Sequence, residues 1–270
     1  MFGDIPWTDL GVLGAAGALS GLLMGLFGIA GGTVLVPAQF ALLTALYRVP
    51  ADQAIKIAIA TSLGCIVVST IAKLAAQSRL GTLRAGVVAP MLLPVAAGVA
   101  LAALASSHIP AQLLQRVFGA YLLLYLAYSF LRKADGAERR DLRLPVPEAR
   151  AVGFGIGFAS GLLGIGGAFL STPYLVWRGM NTKGANAAAP AVQLAVSIIG
   201  TAAYLFVPSS APTPGLVGSV AIPMVVALGI PAAVLSLLAE RWGGMLSAGV
   251  HKRAFECLLL VVAVRIFAGG

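Results

Sequence analysis

Apolar residues fill ten segments of this 270-residue chain, and short polar stretches or turn residues separate them. The segments span residues 10–29, 33–47, 54–77, 85–105, 112–131, 150–166, 168–178, 185–206, 216–239 and 253–268. Because a helix needs about 20 apolar residues to cross a bilayer, most segments predict membrane spans. Segments two and seven are shorter and predict half-helices or arms of re-entrant hairpins. The pattern predicts an all-α polytopic membrane protein.

A glycine-rich break occurs twice along the chain. At a constant offset of 136, Gly25, Gly28, Gly31 and Pro37 recur as Gly161, Gly164, Gly167 and Pro173. Inside a bilayer, a backbone break is tolerated only where protein or a water-filled cavity receives the freed polar groups. Paired breaks at corresponding positions of two halves therefore point to a transport site.

One long polar stretch, residues 132–149, predicts a solvated connector between a first membrane repeat, 1–131, and a second, 150–270. Each half holds five apolar segments. Because five is odd, the second half enters the membrane from the opposite side, which predicts two inverted repeats.

Basic residues set the expected orientation. Thirteen of the 18 Lys and Arg residues fall on one side of the predicted membrane and three on the other. The positive-inside rule then places the connector in the cytoplasm and both termini outside, in a multi-pass protein of the cell inner membrane. The first segment lacks a basic flank, so we expect no cleaved signal peptide.

Composition narrows the class of function. Hydrophobic residues make up 59% of the chain and charged residues 10%, against about 25% charged in soluble domains. The net charge of +9 comes from scattered segment ends and predicts no nucleic-acid partner. Two cysteines and two histidines form no cluster with metal-ligand spacing, so we expect no metal and no cofactor. The apolar segments contain no nucleophile–base pair and no pair of carboxylates, so the sequence does not predict an enzyme.

The two breaks carry a family resemblance. The segments from Gly25 to Pro37 and from Ser160 to Pro173 resemble the signature repeats of the TauE/SafE family of sulfite and organosulfur-anion exporters. Ala60-Thr61-Ser62 resembles the family's Ala-Thr-Ser element. The resemblance implies export of small anions such as sulfite or sulfoacetate. The second half departs from the family pattern. If its link is shorter, Ala188-Ala189-Pro190 stands where the Ala-Thr-Ser element would repeat. At the constant offset of 136, Thr61 instead corresponds to Ser197, and one hydroxyl is kept.

The breaks suggest how an anion is held. A helix that begins after a Gly-Gly turn presents unpaired N–H groups and a positive dipole end, and two such ends related by the repeat would converge near the midplane. The candidate substrate-binding residues are Gly28, Gly31, Gly32, Thr33, Thr61, Ser62, Gly164, Gly166, Gly167, Ser171, Thr172, Asn186 and Gln193. Helix packing is the alternative for the glycines, and interhelical hydrogen bonding for the polar residues.

Four further residues have candidate roles. Pro37 and Pro173 each free a backbone carbonyl inside a short segment, as a packing kink or as a hinge of a gated half-helix. Lys56 and Lys73 lie near opposite ends of the third segment, where each either extends towards the membrane surface or attracts substrate anions. Acidic residues are almost absent from the apolar segments, which favours an anionic or neutral substrate over a cation.

The sequence therefore predicts a secondary transporter of small anions that works by alternating access around a midplane site. Its expected partners are the anion and the bilayer, and a homodimer is left open. The alternative is a membrane scaffold or assembly subunit without transport activity.

Overall fold

The computed structural model describes residues 7–27, 32–79, 81, 84–131, 144–209, 211, 213, 215–243, 257 and 260. The described helices are α1 (Trp7–Phe27), α2 (Gly32–Ala45), α3 (Ala51–Arg79), α4 (Ala85–Ser106), α5 (Ala111–Leu131), α6 (Val146–Leu163), α7 (Ala168–Trp177), α8 (Thr182–Leu205) and α9 (Ile222–Gly243). Strands β1 (Leu216–Val217) and β2 (Val220–Ala221) form a short antiparallel hairpin before α9. The predicted all-α polytopic membrane fold is confirmed.

Helix length separates the membrane spans from the shorter pieces. In the part of the chain that the structure describes, four helices, α3, α4, α8 and α9, are long and apolar enough to cross a bilayer. In contrast, α2 has 14 residues and α7 has 10, which correspond to about 21 Å and 15 Å of helix. Neither reaches across a hydrocarbon core of about 30 Å. The prediction that segments two and seven form short helices is confirmed.

Two boundaries differ from those predicted. The ninth segment, predicted as apolar from residue 216, begins with the β hairpin, and its helix starts only at Ile222. Gly218 turns the hairpin with a φ of 58°, which glycine adopts without strain. Helix α6 begins at Val146 rather than 150, because Pro145 occupies its N-cap and Pro147 its first turn, where proline is favoured. The tenth segment, 253–268, lies outside the described residues apart from 257 and 260.

The order of the helices repeats. At offsets of 136 or 137, α1–α4 correspond to α6–α9: α2 begins at Gly32 and α7 at Ala168, while α4 begins at Ala85 and α9 at Ile222. The packing repeats as well. Helix α1 packs mainly on α9, and its counterpart α6 packs mainly on α4, the counterpart of α9. The two halves are therefore interleaved, since the first helix of each contacts the fourth helix of the other.

Glycine stripes make this exchange possible. Gly17, Gly21 and Gly25 on α1 lie against the backbone of Leu228, Ala232 and Ser236 on α9, and Gly153, Gly157 and Gly161 on α6 lie against Met91, Val95 and Val99 on α4. A Cβ at Gly21 would overlap the carbonyl of Ala232, and one at Gly157 would overlap that of Val95. Small residues at four-residue spacing let membrane helices approach this closely.

Polar contacts fix the ends of α6 and α7. The Glu148 carboxylate near the start of α6 accepts a hydrogen bond of 2.9 Å from the Tyr174 hydroxyl. The same oxygen lies 3.3 Å from Nε of Arg178, at the end of α7. In this conformation these contacts hold the end of the short helix against the start of α6.

Candidate functional site

The two glycine breaks touch. Gly32, the first residue of α2, packs so closely on Gly164 and Ile165 that a Cβ at Gly32 would overlap the Gly164 carbonyl. The predicted convergence of the breaks is therefore present, but the two meet in direct contact at this point rather than across a space. Gly28 and Gly31 lie outside the described residues.

The second break depends on glycine geometry. Gly164 caps α6 with a φ of 65°, and Gly166 has a φ of 71°. Both values fall in the left-handed region, which is costly for residues with a Cβ. A Cβ at Gly164 would also lie 2.7 Å from Oγ of Ser62. Gly167 contacts Val192 and Val196 of α8 and is the N-cap of α7.

The hydroxyls of the Ala-Thr-Ser element bind backbone groups. Ser62 is fully buried, and its Oγ lies 2.8 Å from the carbonyl oxygens of both Ile59 and Gly164. Thr61 is also fully buried, and its Oγ1 accepts a hydrogen bond of 3.0 Å from the Ala221 N–H, just before α9. In this conformation Ser62 holds the second break on α3, while Thr61 holds the end of the hairpin.

A small polar cavity lies further along α3. Its described lining consists of Met24, Gly25, Ser69, Thr70, Lys73, Ala168, Thr172, Asn186, Ala189, Pro190, Gln193 and Ser236. Its volume is about 40 Å³, enough for a few water molecules. The cavity therefore collects polar side chains from α3, α7, α8 and α9 beside the start of α7.

Four of the predicted residues meet in this cavity. Lys73, Thr172, Asn186 and Gln193 all line it. Asn186 and Gln193 lie seven residues apart and share one face of α8, as expected from helix periodicity. Gln193 Nε2 donates a hydrogen bond of 2.8 Å to Thr70 Oγ1, which joins the α8 wall to the α3 wall.

Ser69, Thr70 and Ser236 line the cavity but were absent from the predicted set. Helical spacing could have identified the two residues on α3. Ser69 and Thr70 precede Lys73 by four and three residues, which places all three on one helix face. The resemblance drew attention instead to Thr61 and Ser62, about two turns earlier. Ser236 carried no signal beyond a hydroxyl in an apolar segment.

The two intramembrane lysines have different surroundings. Lys73 lines the cavity, and the described lining contains no Asp or Glu. Lys56 lies about 25 Å away along the same helix. Its Nζ donates to the carbonyl of Ser107 at the C-terminus of α4, at 3.4 Å. A cation there interacts favourably with the negative end of the helix dipole, so Lys56 stabilises α4 outside the cavity.

The remaining predicted residues surround the breaks. Thr33 is buried in the first turn of α2, and Ser171 is fully buried on α7 beside the cavity residue Thr172. Within the described part of the chain, the Ser171 hydroxyl has no hydrogen-bond partner. Pro37 and Pro173 are each the sixth residue of their short helix. Each removes the donor for the carbonyl four residues earlier.

Long apolar helices, interleaved repeats and a polar cavity among them define a polytopic membrane protein. The family model of the sulfite exporter TauE/SafE family matches residues 13–266, and the chain belongs to this family. It is also 29% identical over 261 residues to a "Probable membrane transporter protein" of Haemophilus influenzae, a match that covers 93% of this chain and 95% of that protein. No solved structure matches the chain.

Proposed function

We propose that this protein is a secondary transporter that exports small anions, sulfite or organosulfonates such as sulfoacetate, by alternating access around the α3–α7–α8–α9 cavity. The observation that carries the proposal is the cavity's composition. Its described lining has one positive charge, that of Lys73, together with hydroxyls and amides, and it has no carboxylate. Such a set provides hydrogen-bond donors and a cation for an oxyanion, whereas a cation would lack a counter-charge.

The start of α7 supports the same substrate class. Ala168, the first residue of α7, lines the cavity beside Thr172. The first N–H groups of a helix have no intrahelical partners, and the N-terminal end carries a partial positive charge. An anion in the cavity would therefore meet this end of α7 as well as the Lys73 ammonium. The size of the cavity suits a compact anion such as sulfite.

In the proposed site, Lys73 supplies charge, the hydroxyls of Thr70 and Thr172 donate to the anion, and the amides of Asn186 and Gln193 complete the lining. The hydroxyls of Ser69 and Ser236 donate to backbone carbonyls of their own helices and present their oxygens to the cavity. The glycine breaks and Pro37 and Pro173 act as the flexible elements that let the short helices move. Export is what membership of the sulfite exporter family implies. In the orientation that the basic residues predict, Lys73 lies on the half of α3 nearest Arg79 and the cytoplasm. We place the protein in the inner membrane with both termini outside, so the cavity would receive its anion from the cytoplasm.

The direct test uses the two lysines of α3 as a matched pair. Purified protein in liposomes would be assayed for flux of labelled sulfite and sulfoacetate after Lys73→Gln and after Lys56→Gln. Loss of the cavity charge should lower flux about tenfold or more, because charge-assisted hydrogen bonds are among the strongest in proteins. Lys56→Gln should change it less than about twofold, because Lys56 contacts the end of α4. Equal effects of the two changes would refute the site.

A second measurement separates the transporter from the scaffold. Thermal unfolding, followed by the intrinsic fluorescence of the three tryptophans, would be recorded with sulfite, sulfate, sulfoacetate, taurine and thiosulfate. A ligand that binds only the folded state at 100 times its Kd stabilises it by about 2.7 kcal/mol. We expect stabilisation by at least one of the anions, and its loss in Lys73→Gln. If none of these anions raises the thermal stability of the protein and no anion flux is measured, the scaffold would be favoured.

A further inference from the structure

The hairpin formed by Leu216–Ala221, called the outer hairpin below, is inserted between helices over its second half, while Val217 in its first strand is 40% exposed. Leu216 pairs with Ala221 and Val217 with Val220. Val220 and Ala221 are fully buried and Ser219 is 3% exposed. It follows α8, on the side of the membrane that the basic residues predict to be outside. A buried connection of this kind must satisfy its backbone polar groups within the protein.

Hydrogen bonds fasten the outer hairpin at two places. Its last residue, Ala221, donates its N–H to Thr61 Oγ1 on α3 at 3.0 Å. At its turn, the Ser219 N–H donates to the Tyr204 carbonyl at 3.0 Å and the Ser219 hydroxyl to the Val207 carbonyl at 2.8 Å. The turn is therefore held by the end of α8, while a single side-chain hydroxyl holds the inserted end on α3.

The corresponding connection of the first repeat is much shallower. At the repeat offset of 137, Arg84 corresponds to Ala221, and its N–H donates to the carbonyl of Ala187 on α8 at 3.3 Å. Ala187 is the sixth residue of α8, whereas Thr61 is the eleventh residue of α3. At 1.5 Å per residue, the outer hairpin reaches about 7.5 Å further along its helix than the connection on the opposite side.

The two ends of α3 also differ in their surroundings. Lys73 and the cavity lie on the side of the shallow connection, whereas α3 is fully buried from Ile57 to Ile66, on the side of the outer hairpin. A vestibule on that side is lined by Leu205, Phe206, Ser209 and the hairpin residues Leu216 and Gly218, among others. The outer hairpin therefore forms part of the wall of this vestibule, while the cavity lies towards the other end of α3.

We propose that the outer hairpin is the outer gate of the transport path and that the Thr61 hydroxyl is the latch that holds it closed. The proposal rests on the proposed function, since alternating access requires the outer side to open when the cavity closes. Opening separates Ala221 from Thr61 and exposes the Thr61 hydroxyl and the adjacent second break to the vestibule. The Ala-Thr-Ser element then serves the outward-facing conformation, while Ser69, Thr70 and Lys73 serve the inward-facing one.

The test measures access to the buried hairpin without any substrate. Cys257, which is exposed, is replaced by serine, and Val220→Cys places a reporter in the hairpin. A membrane-impermeant thiol reagent is added from outside, and the labelling rate is compared with that of the further variant Thr61→Val. Loss of one buried hydrogen bond should raise the rate about tenfold. Thr61→Ser keeps the hydroxyl and should label at the parent rate.

Ser62→Ala is the matched control, because the neighbouring hydroxyl binds the Ile59 and Gly164 carbonyls rather than the hairpin. It should leave the labelling rate unchanged. The native Cys65, fully buried one turn after Thr61, is a second reporter when Val220 is kept. If Thr61→Val does not fold, Ser219→Ala, which removes the hydroxyl bond at the turn, should raise labelling instead.

An unchanged rate in Thr61→Val overturns the latch, as does an equal increase in Thr61→Ser, which would assign the effect to packing of the methyl group. An equal increase in Ser62→Ala overturns it too, because it would show general loosening. The two proposals fail separately. Absent anion flux with latch-dependent labelling refutes the transport substrate alone, whereas normal Lys73-dependent flux with unchanged labelling refutes the gate alone.

Discussion

Helices α3 and α8 occupy corresponding positions in the two repeats, but they bring different chemistry to the centre of the protein. The α3 wall of the cavity carries Ser69, Thr70 and Lys73, and the α8 wall carries Asn186, Ala189, Pro190 and Gln193. Charge and hydroxyls thus come from α3 and amides and a proline from α8, while Thr172 on α7 and Ser236 on α9 add hydroxyls from the second repeat. The two helices also differ in how far the connection of the opposite repeat reaches along them. The outer hairpin contacts α3 at Thr61, its eleventh residue, whereas Arg84 contacts α8 at Ala187, its sixth residue. A duplicated fold has kept its packing while its two halves have come to differ in the side chains that line the cavity and in the depth of their connections.

The shared packing is the part that substitutions can break most severely. Gly157→Leu would drive a side chain into the backbone of Val95, and overpacking against a rigid helix costs about 3 kcal/mol or more. We expect loss of monodisperse folded protein in size-exclusion chromatography. The control is Gly155→Leu, two residues earlier on the same helix, because a Cβ at Gly155 has no neighbour within 4 Å.

That control should raise the unfolding midpoint slightly or leave it unchanged, because leucine is a better helix former than glycine. Gly21→Leu on α1 should match Gly157→Leu, since its Cβ would meet Ala232 in the equivalent interface. A folded, stable Gly157→Leu protein would contradict the interleaved packing.

Substitutions at the second break should cost less stability, and they separate the cost of a left-handed backbone from the cost of a clash with α3. Gly164 and Gly81 both have a φ of 65°, but only Gly164 has neighbours within contact distance of a Cβ, namely Ser62 and Ile59. Alanine at Gly81 should cost about 1–2 kcal/mol from backbone conformation alone. Alanine at Gly164 adds a clash with α3, so we expect about 3–4 kcal/mol by thermal unfolding in detergent. Equal losses would show that the close approach to α3 contributes nothing.

Periodicity and repeat symmetry made much of this fold predictable. The hydropathy pattern gave the order of the helices, and the glycine positions gave the two short helices, because chain length and backbone freedom are local properties. Helix periodicity also placed Asn186 and Gln193 on one face of α8. The hairpin before α9 was not predicted, since Leu216, Val217, Val220 and Ala221 are as apolar as a membrane helix, and only tertiary burial decides between the two.

The cavity was predictable only in part, for a physical reason. Thr61 and Ser62 stood out by resemblance, yet a hydroxyl in a membrane helix can bind either a ligand or a neighbouring backbone group. Which of these it does depends on the partner that another helix presents. Here Ala221 and Gly164 are those partners, and neither position could be placed against α3 from the sequence.

The direct bond between the two cavity walls gives the finest test of their difference. Thr70 Oγ1 accepts from Gln193 Nε2 at 2.8 Å, so Thr70→Val, Gln193→Leu and the double variant form a thermodynamic cycle. Interhelical hydrogen bonds in membranes contribute about 0.6 kcal/mol on average, and we expect a coupling energy of that size from thermal unfolding. Thr70→Ser, which keeps the hydroxyl, should retain most of the coupling. A coupling near zero would mean that this hydrogen bond adds no net stability and that the α3 and α8 walls are energetically independent.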